Sequence, residues 1–468
     1  MEKKNTWETY SSKQLKELEK INAQYRDFLD NGKTERECID TIVNTIEKSG
    51  YRELESLIKE GTALKTGDKV YSVWMNKSIA MFQIGRKPMT EGMNILGAHI
   101  DSPRLDVKQN PLYEDGGFAY LDTHYYGGVK KYQWVTIPLA IHGVIVKKDG
   151  TCVEINIGEN EDDPVFFVSD LLIHLAQEQL EKKAAKVIEG EALDIIVGNK
   201  PLLIDKKDKK KDEKEAVKAG VLDILKETYD IHEEDFVSAE LEIVPAGKAR
   251  EAGFDRSMIL AYGQDDRVCA YTSMQAMLDS DVTDRTMCCI LVDKEEIGSV
   301  GATGMQSHFF ENAVAEVMNL TGEYSELHVR RCLAHSCMLS SDVSSAFDPT
   351  YASSFDKKNV AYLGGGMVIN KFTGARGKSG SNDANAEYLA HLRHIFDKAE
   401  VNFQTAELGK VDLGGGGTIA YILALYGMNV IDSGVAVLNM HAPWEATSKA
   451  DVYETYRGYK AFVEGASL

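Results

Sequence analysis

The chain has 468 residues, 43% of them apolar, with 53 Lys and Arg against 73 Asp and Glu, a net charge of −20. The charge argues against a protein that tracks nucleic-acid phosphate through clustered cations, and against docking on anionic membranes. The apolar content excludes global disorder, and the length allows for more than one domain.

From Met1 the chain runs into a polar stretch with no apolar core, so no secretory or transit segment is expected. The seven cysteines are odd in number and contain no Cys-x-x-Cys pair, so reduced thiols and a cytoplasmic location are expected. Residues 13–29 place Leu15, Leu18, Ile21, Tyr25 and Leu29 at helical spacing, and 34–48 place Cys38, Ile42 and Ile46 on one face. Residues 68–84 read as a hairpin turning at Asn76-Lys77. From 106 to about 241 shorter strands are expected, followed by an amphipathic helix over 168–183 and a mixed-charge, solvated loop over 205–215. Beyond Ile243 apolar runs (258–261, 287–292, 338–339, 360–363, 435–440) alternate with helical stretches (268–279, 382–400, 418–426). This is the pattern of an α/β fold with a sheet covered by helices on both faces.

Each of five apolar runs is followed by His, Asp or Glu: His99 and Asp101, then Asp265 and Asp266, then Glu295 and Glu296, then Asp342, and finally His441. A single such residue is usually a turn former or a helix cap. Five sets at strand ends, where open α/β sheets bind ligands, point instead to a cation, because gathered carboxylates otherwise repel one another. Two histidines with several carboxylates and no cysteine suit Zn²⁺, with Mn²⁺ or Co²⁺ as substitutes. In His99-x-Asp101 the carboxylate can support the second ring nitrogen of the histidine. Glu295 and Glu296 are adjacent and should diverge, one toward the metal and one toward a water as general base.

These residues stand in Gly97-Ala98-His99-Ile100-Asp101-Ser102-Pro103-Arg104, Gly263-Gln264-Asp265-Asp266-Arg267-Val268, Asp293-Lys294-Glu295-Glu296-Ile297-Gly298-Ser299, Ser340-Ser341-Asp342-Val343 and Asn439-Met440-His441-Ala442-Pro443-Trp444-Glu445. With Val244-Pro245-Ala246-Gly247-Lys248-Ala249-Arg250, they make the chain resemble the aspartyl aminopeptidase family of co-catalytic di-zinc metallopeptidases over nearly its whole length. The resemblance implies two Zn²⁺ per subunit, with Asp265 bridging them. His99 and Asp342 would complete one site, and Glu296 and His441 the other. Glu295 would be the general base and Asp101 the support of His99. His174 and Lys371 would be substrate-side residues, the latter pairing with an acidic first residue of a peptide. It further implies a mixed-sheet metallopeptidase domain of two segments, 1–105 and 243–468. Between them 106–242 would form a smaller β-rich domain for oligomerisation and substrate access, in a dodecamer built from dimers.

Three other readings compete. Gly415-Gly416-Gly417-Thr418-Ile419-Ala420 satisfies a relaxed dinucleotide-binding pattern, with Asp432 ending a later apolar run, as in a nicotinamide-dependent oxidoreductase. A di-metal amidohydrolase acting on N-acyl amino acids would share the metal residues and differ in its pocket. A non-catalytic assembly protein would have lost some of the site residues, and all are present.

Overall fold

The computed structural model describes residues 5–202 and 215–467; the charged loop expected over 205–215 lies outside them except for Glu215. The chain divides into two compact units. The first comprises Met1–Asp101, Ala249–Met440 and Glu445–Leu468, and the second Ser102–Lys248 with His441–Trp444. The second unit therefore extends beyond the expected 106–242 at both ends. The strands that lead into and out of it, Arg104–Asp115 and Ala239–Pro245, pair with each other, Leu105 opposite Ile243. No change of composition marks those ends.

The first unit is built on a nine-stranded mixed sheet. Five of its strands position the site: β1 (Met93–His99), β2 (Thr286–Val292), β3 (Cys337–Ser341), β4 (Met367–Asn370) and β5 (Asn429–Gly434). Strands β2, β1, β3 and β5 lie side by side in parallel, with Val292 level with His99 and Ser340 level with Gly97. Strand β4 runs antiparallel to β5.

Alternate residues of these strands enter two separate cores. Leu96, Ala98, Cys289, Leu291 and Leu339 pack with the helices Ser12–Asn31, Glu35–Glu47, Ala386–Lys398, α1 (Gln264–Leu278) and α2 (Lys449–Gly465). Ile95, Cys288, Ile290 and Met338 pack with helices that include Leu54–Glu60, Phe309–Leu320 and Glu326–Ala334. A period-2 strand with both faces apolar needs cover on both sides, and helices supply it. Capping boxes start the first two helices, Ser11 with Gln14 and Thr34 with Glu37. Leu339, fully buried in β3, is at the centre of this packing. Leu339→Ala should cost about 3 kcal/mol, read as a lowered midpoint in urea unfolding.

A second, five-stranded sheet of the first unit has the order Arg250–Ala252, Met258–Ala261, Glu445–Ser448, Ala436–Leu438, Ser344–Ser345. It corrects the expectation that all five site-bearing runs end along one sheet: β1, β2 and β3 do, whereas Met258–Ala261 and Ala436–Leu438 belong to this other sheet. The second unit holds a six-stranded antiparallel sheet, with helix Ala216–Tyr229 against its strands. Its strands are not uniformly short, running from 4 residues at Ile195–Gly198 to 12 at Arg104–Asp115.

Two further expectations fail. Residues 168–183 form no continuous helix, only the turn Ile173–Leu175 and the short helix Gln177–Leu180. Leu171, Leu172, Ile173 and Leu175 are exposed, so no apolar face is buried to stabilise a helix there. The Asp170 carboxylate instead accepts hydrogen bonds from the Leu171 amide and the Gln179 side chain, each at 2.8 Å. Residues 360–363 form no strand beyond one bridge at Ala361, because Gly364 and Gly366 turn the chain at positive φ. Among the described residues no helix is long and apolar enough to cross a membrane.

Candidate metal centre

The parallel register brings the carboxyl ends of β1, β2 and β3 together, and with them His99, Glu295, Glu296 and Asp342. Asp265 and Asp266 join from the start of α1, where both have non-helical backbone angles and their shared peptide bond is cis. Three groups of side chains converge with their ligand atoms within 4.8 Å: His99, Glu295 and Asp342; His99, Asp265 and Glu296; and Asp265, Asp266 and Asp342.

His99 is buried at the end of β1. Its Nδ1 lies 2.9 Å from the Asp101 carbonyl oxygen and 3.3 Å from Asp101 Oδ1, while Nε2 lies 3.3 Å from Asp265 Oδ1 and 3.8 Å from Glu295 Oε2. Asp101 also clamps the next strand's turn, its two carboxylate oxygens accepting the backbone N–H groups of Glu295 and Glu296, each at 3.1 Å. The turn Glu295–Ile297 begins at Lys294, which is in the left-handed region, so the chain reverses sharply after β2.

On the other side, the Asp265 amide donates to Glu445 Oε2 at 3.0 Å, and Gln264 donates to the Glu445 carbonyl at 2.6 Å. Arg267, wholly buried, donates to the carbonyls of Gly263, Tyr262 and Gly32, so the first turn of α1 is locked from both ends.

The electrostatics are those of a site short of positive charge. Burial raises the Asp342 carboxyl well above its ordinary value, and the Asp266 and Glu295 carboxylates push it further. Burial does the same to Asp266, assisted by Asp265 against the opposing pull of His99. For His99 burial acts downward, but its bonds to Asp101 and Asp265 and the nearby charge of Glu295 outweigh it, so the imidazole is held well above its usual range. One Asp266 oxygen, Oδ1, is buried without a hydrogen-bond partner. An imidazole, converging carboxylate oxygens and no sulfur form a donor set that fits zinc, whose charge would let the carboxylates ionise together.

The other expected residues, His441, His174 and Lys371, are not among these three groups. His441 belongs to the second unit, where its Nδ1 stands 2.9 Å from the Gly128 carbonyl. His174 is exposed in the turn Ile173–Leu175 of that unit. Lys371 is exposed just after β4, whose last residue, Asn370, is level with Asp432 of β5 and through it with Ser340 near the carboxyl end of β3.

Sequence reasoning assigned no role to Asp266 or Glu445. The first was noted as an acid beside Asp265 but given no part in the site. The second stands at the start of the strand Glu445–Ser448 and is buried, which only the fold reveals.

The glycine-rich pattern does not build a dinucleotide site. It follows the three-residue strand Phe403–Thr405 only after a loop and leads into the five-residue helix Ala420–Ala424. Asp432 is buried and accepts the Thr418 hydroxyl at 2.5 Å rather than facing a ribose.

The comparisons with known proteins agree with this chemistry. The family model described as aminopeptidase I zinc metalloprotease (M18) matches residues 28–463. A probable M18 family aminopeptidase 1 of Clostridium acetobutylicum is 63% identical, covering 99% of this chain and 98% of its own length. The crystal structure of aminopeptidase I from that organism superposes with a TM-score of 0.91 at 61% identity over 99% of each chain. The Thermotoga maritima M18 aminopeptidase superposes with a TM-score of 0.93 at 44% identity over 100% of both chains. The S. cerevisiae mApe1 dodecamer shares the fold, with a TM-score of 0.76 at 20% identity over 95% of this chain and 96% of that one. The chain belongs to the M18 family of zinc metalloproteases and is a metalloaminopeptidase.

Proposed function

We propose that the chain is a two-zinc aminopeptidase that removes the first residue of peptides, with Glu295 as general base. One observation carries the reading. His99, Asp265 and Asp342 each belong to two of the three overlapping groups, as ligands spread around two neighbouring cations would. His99 and Asp342 would hold one ion, Glu296 and His441 the other, with Asp265 between them; the place of His441 rests on the resemblance alone. Zinc in such a site lowers the pKa of water and polarises the scissile carbonyl.

The chain's own residues do the rest. Asp101 holds the His99 ring through Nδ1, leaving Nε2 toward the metal, and fixes the backbone of Glu295 and Glu296. Glu295 takes the proton of the attacking water as its oxygen adds to the carbonyl carbon. It then passes that proton to the departing amine nitrogen as the C–N bond breaks.

His174 and Lys371 are proposed as substrate-side residues, Lys371 favouring an acidic first residue. A homo-oligomer, a dodecamer built from dimers, is proposed as the assembly. Support for an assembly comes from the run of exposed apolar residues Leu171, Leu172, Ile173 and Leu175 in the second unit.

The reading is tested with peptides that differ only at the first residue, each also in an N-acetylated form, assayed with Zn²⁺, Mn²⁺ and Co²⁺. Free-amine peptides should be cleaved and their acetylated forms should not. Chelation with 1,10-phenanthroline should remove the activity, and added zinc should restore it. Cleavage of the acetylated series alone would favour the amidohydrolase reading, and equal cleavage of Asp, Glu and Leu peptides would remove the acidic preference.

A further inference from the structure

The loop that carries Glu295 and Glu296 is closed at its neck by hydrogen bonds that meet at Thr303, with Lys294 Nζ also 3.3 Å from Asp293 Oδ2. Asp293 leaves β2 and Thr303 brings the chain back. The Thr303 hydroxyl donates to Asp293 Oδ2 at 2.6 Å, and the Thr303 carbonyl accepts the Asp293 amide at 3.3 Å and the Ser78 hydroxyl at 2.5 Å. Asp293, Thr303 and Ser78 are all buried. Ser78 opens the strand Ser78–Gln83, which pairs with β2, Leu291 opposite Ile79. Thr303 therefore ties the returning end of the loop to two neighbouring strands at once.

Within the loop the turn closes on itself. The Ser299 amide donates to the Lys294 carbonyl at 2.7 Å, and the Gly298 amide to the Glu295 carbonyl at 2.9 Å. These bonds do not involve Thr303. Loss of its hydroxyl would leave the turn and the two bonds to the Thr303 carbonyl in place and remove the hydroxyl's bond to Asp293, loosening the neck so that the turn can shift about the Asp101 clamp.

We propose that Thr303 is a positioning residue for peptide hydrolysis: its stitch to Asp293 and Ser78 sets where the Glu295 carboxylate stands relative to His99. The proposal rests on the reading of Glu295 as the base. Glu295 Oε2 stands 3.8 Å from His99 Nε2, and that separation depends on where the turn is held, so a loosened neck should be felt at the base. A displaced base costs rate rather than affinity, because proton transfer is sensitive to shifts below 1 Å.

The experiment uses full-length Thr303→Val, Thr303→Ser, Ser78→Ala and Glu295→Gln. Leucyl-alanine and aspartyl-alanine are the probes, with kcat, KM and zinc per chain measured for each variant. Thr303→Val keeps the size and removes the donor; kcat should fall by about 10- to 100-fold with KM and zinc content close to wild type. Thr303→Ser keeps the hydroxyl and should recover most of that loss. Ser78→Ala removes one strand of the stitch and should lower kcat by about 3- to 10-fold, and it carries the test if Thr303→Val does not fold.

Wild-type kcat in Thr303→Val or in Ser78→Ala would overturn the proposal. So would a serine variant as slow as the valine one, or zinc lost in step with rate. Should Glu295→Gln itself turn over normally, the assignment of the base fails and this proposal falls with it. An inactive Glu295→Gln beside a fully active Thr303→Val refutes the stitch alone.

Discussion

Glu295→Gln should abolish turnover while leaving the zinc content of the chain unchanged. Glutamine has the size of glutamate, and the turn is held through the Glu295 and Glu296 amides by Asp101 rather than through the Glu295 side chain. What the substitution removes is the ability to accept a proton 3.8 Å from His99 Nε2, where Glu295 Oε2 now stands. Loss of a general base costs about 10²- to 10⁴-fold in rate. Steady-state kinetics on a free-amine dipeptide, with elemental analysis of the same sample, measure both halves of the expectation. Undiminished hydrolysis in a zinc-replete variant would refute the role of Glu295. Glu296→Gln makes the contrast, since there zinc binding should weaken along with the rate.

The second large effect lies outside the polar residues. Gly434 ends β5, and a Cβ there would fall onto the carbonyl oxygen of Asp342 and come within 3.1 Å of Cys269 Sγ. The Asp342 amide donates to the Ser433 carbonyl at 2.9 Å, so the backbone beside Gly434 fixes the carboxylate that caps β3. Gly434→Ala must push that segment aside, at a cost of about 1–3 kcal/mol in stability. The larger consequence should be at the metal centre, where Asp342 belongs to two of the three groups. Zinc content should fall, and kcat/KM with it, while circular dichroism stays that of a folded chain. A Gly434→Ala protein with wild-type zinc and wild-type rate would show that the Asp342 backbone can give way freely.

Much of the first unit was legible in the sequence because its local signals agree with its packing. The helices Ser12–Asn31 and Glu35–Glu47 follow apolar spacing at three and four residues, and the hairpin around Asn76 follows alternation plus a turn. Strand Met258–Ala261 has the bounds its apolar run suggested. Residues 168–183 show the opposite case. Their apolar spacing imitates a helix, but those side chains stay exposed in this chain, so the usual driving force for the helix is missing.

For the site, the order of residue types along the chain marked His99, Asp101, Asp265, Glu295, Glu296 and Asp342, since acids and histidines after apolar runs are visible without coordinates. Which of them meet was not visible. Convergence depends on strand order and direction, and these arise from pairings between segments up to about 240 residues apart, such as β1 with β3. The same dependence sets the level of Lys371, because β4 is reversed relative to its neighbour β5, with Asn370 opposite Asp432, and no local pattern records that reversal.

By itself, then, the sequence determined the donor chemistry: a nitrogen and oxygen donor set and a surplus of carboxylates needing a cation. Those are properties of residue type and order, which the chain carries before it folds. Only the tertiary structure decided that Asp101 clamps the Glu295–Glu296 turn, that Asp266 and Glu445 press against Asp265, and that His441 belongs to the second unit. Contacts of that kind depend on parallel register and burial, which place side chains ångströms apart regardless of how far apart they stand in the chain.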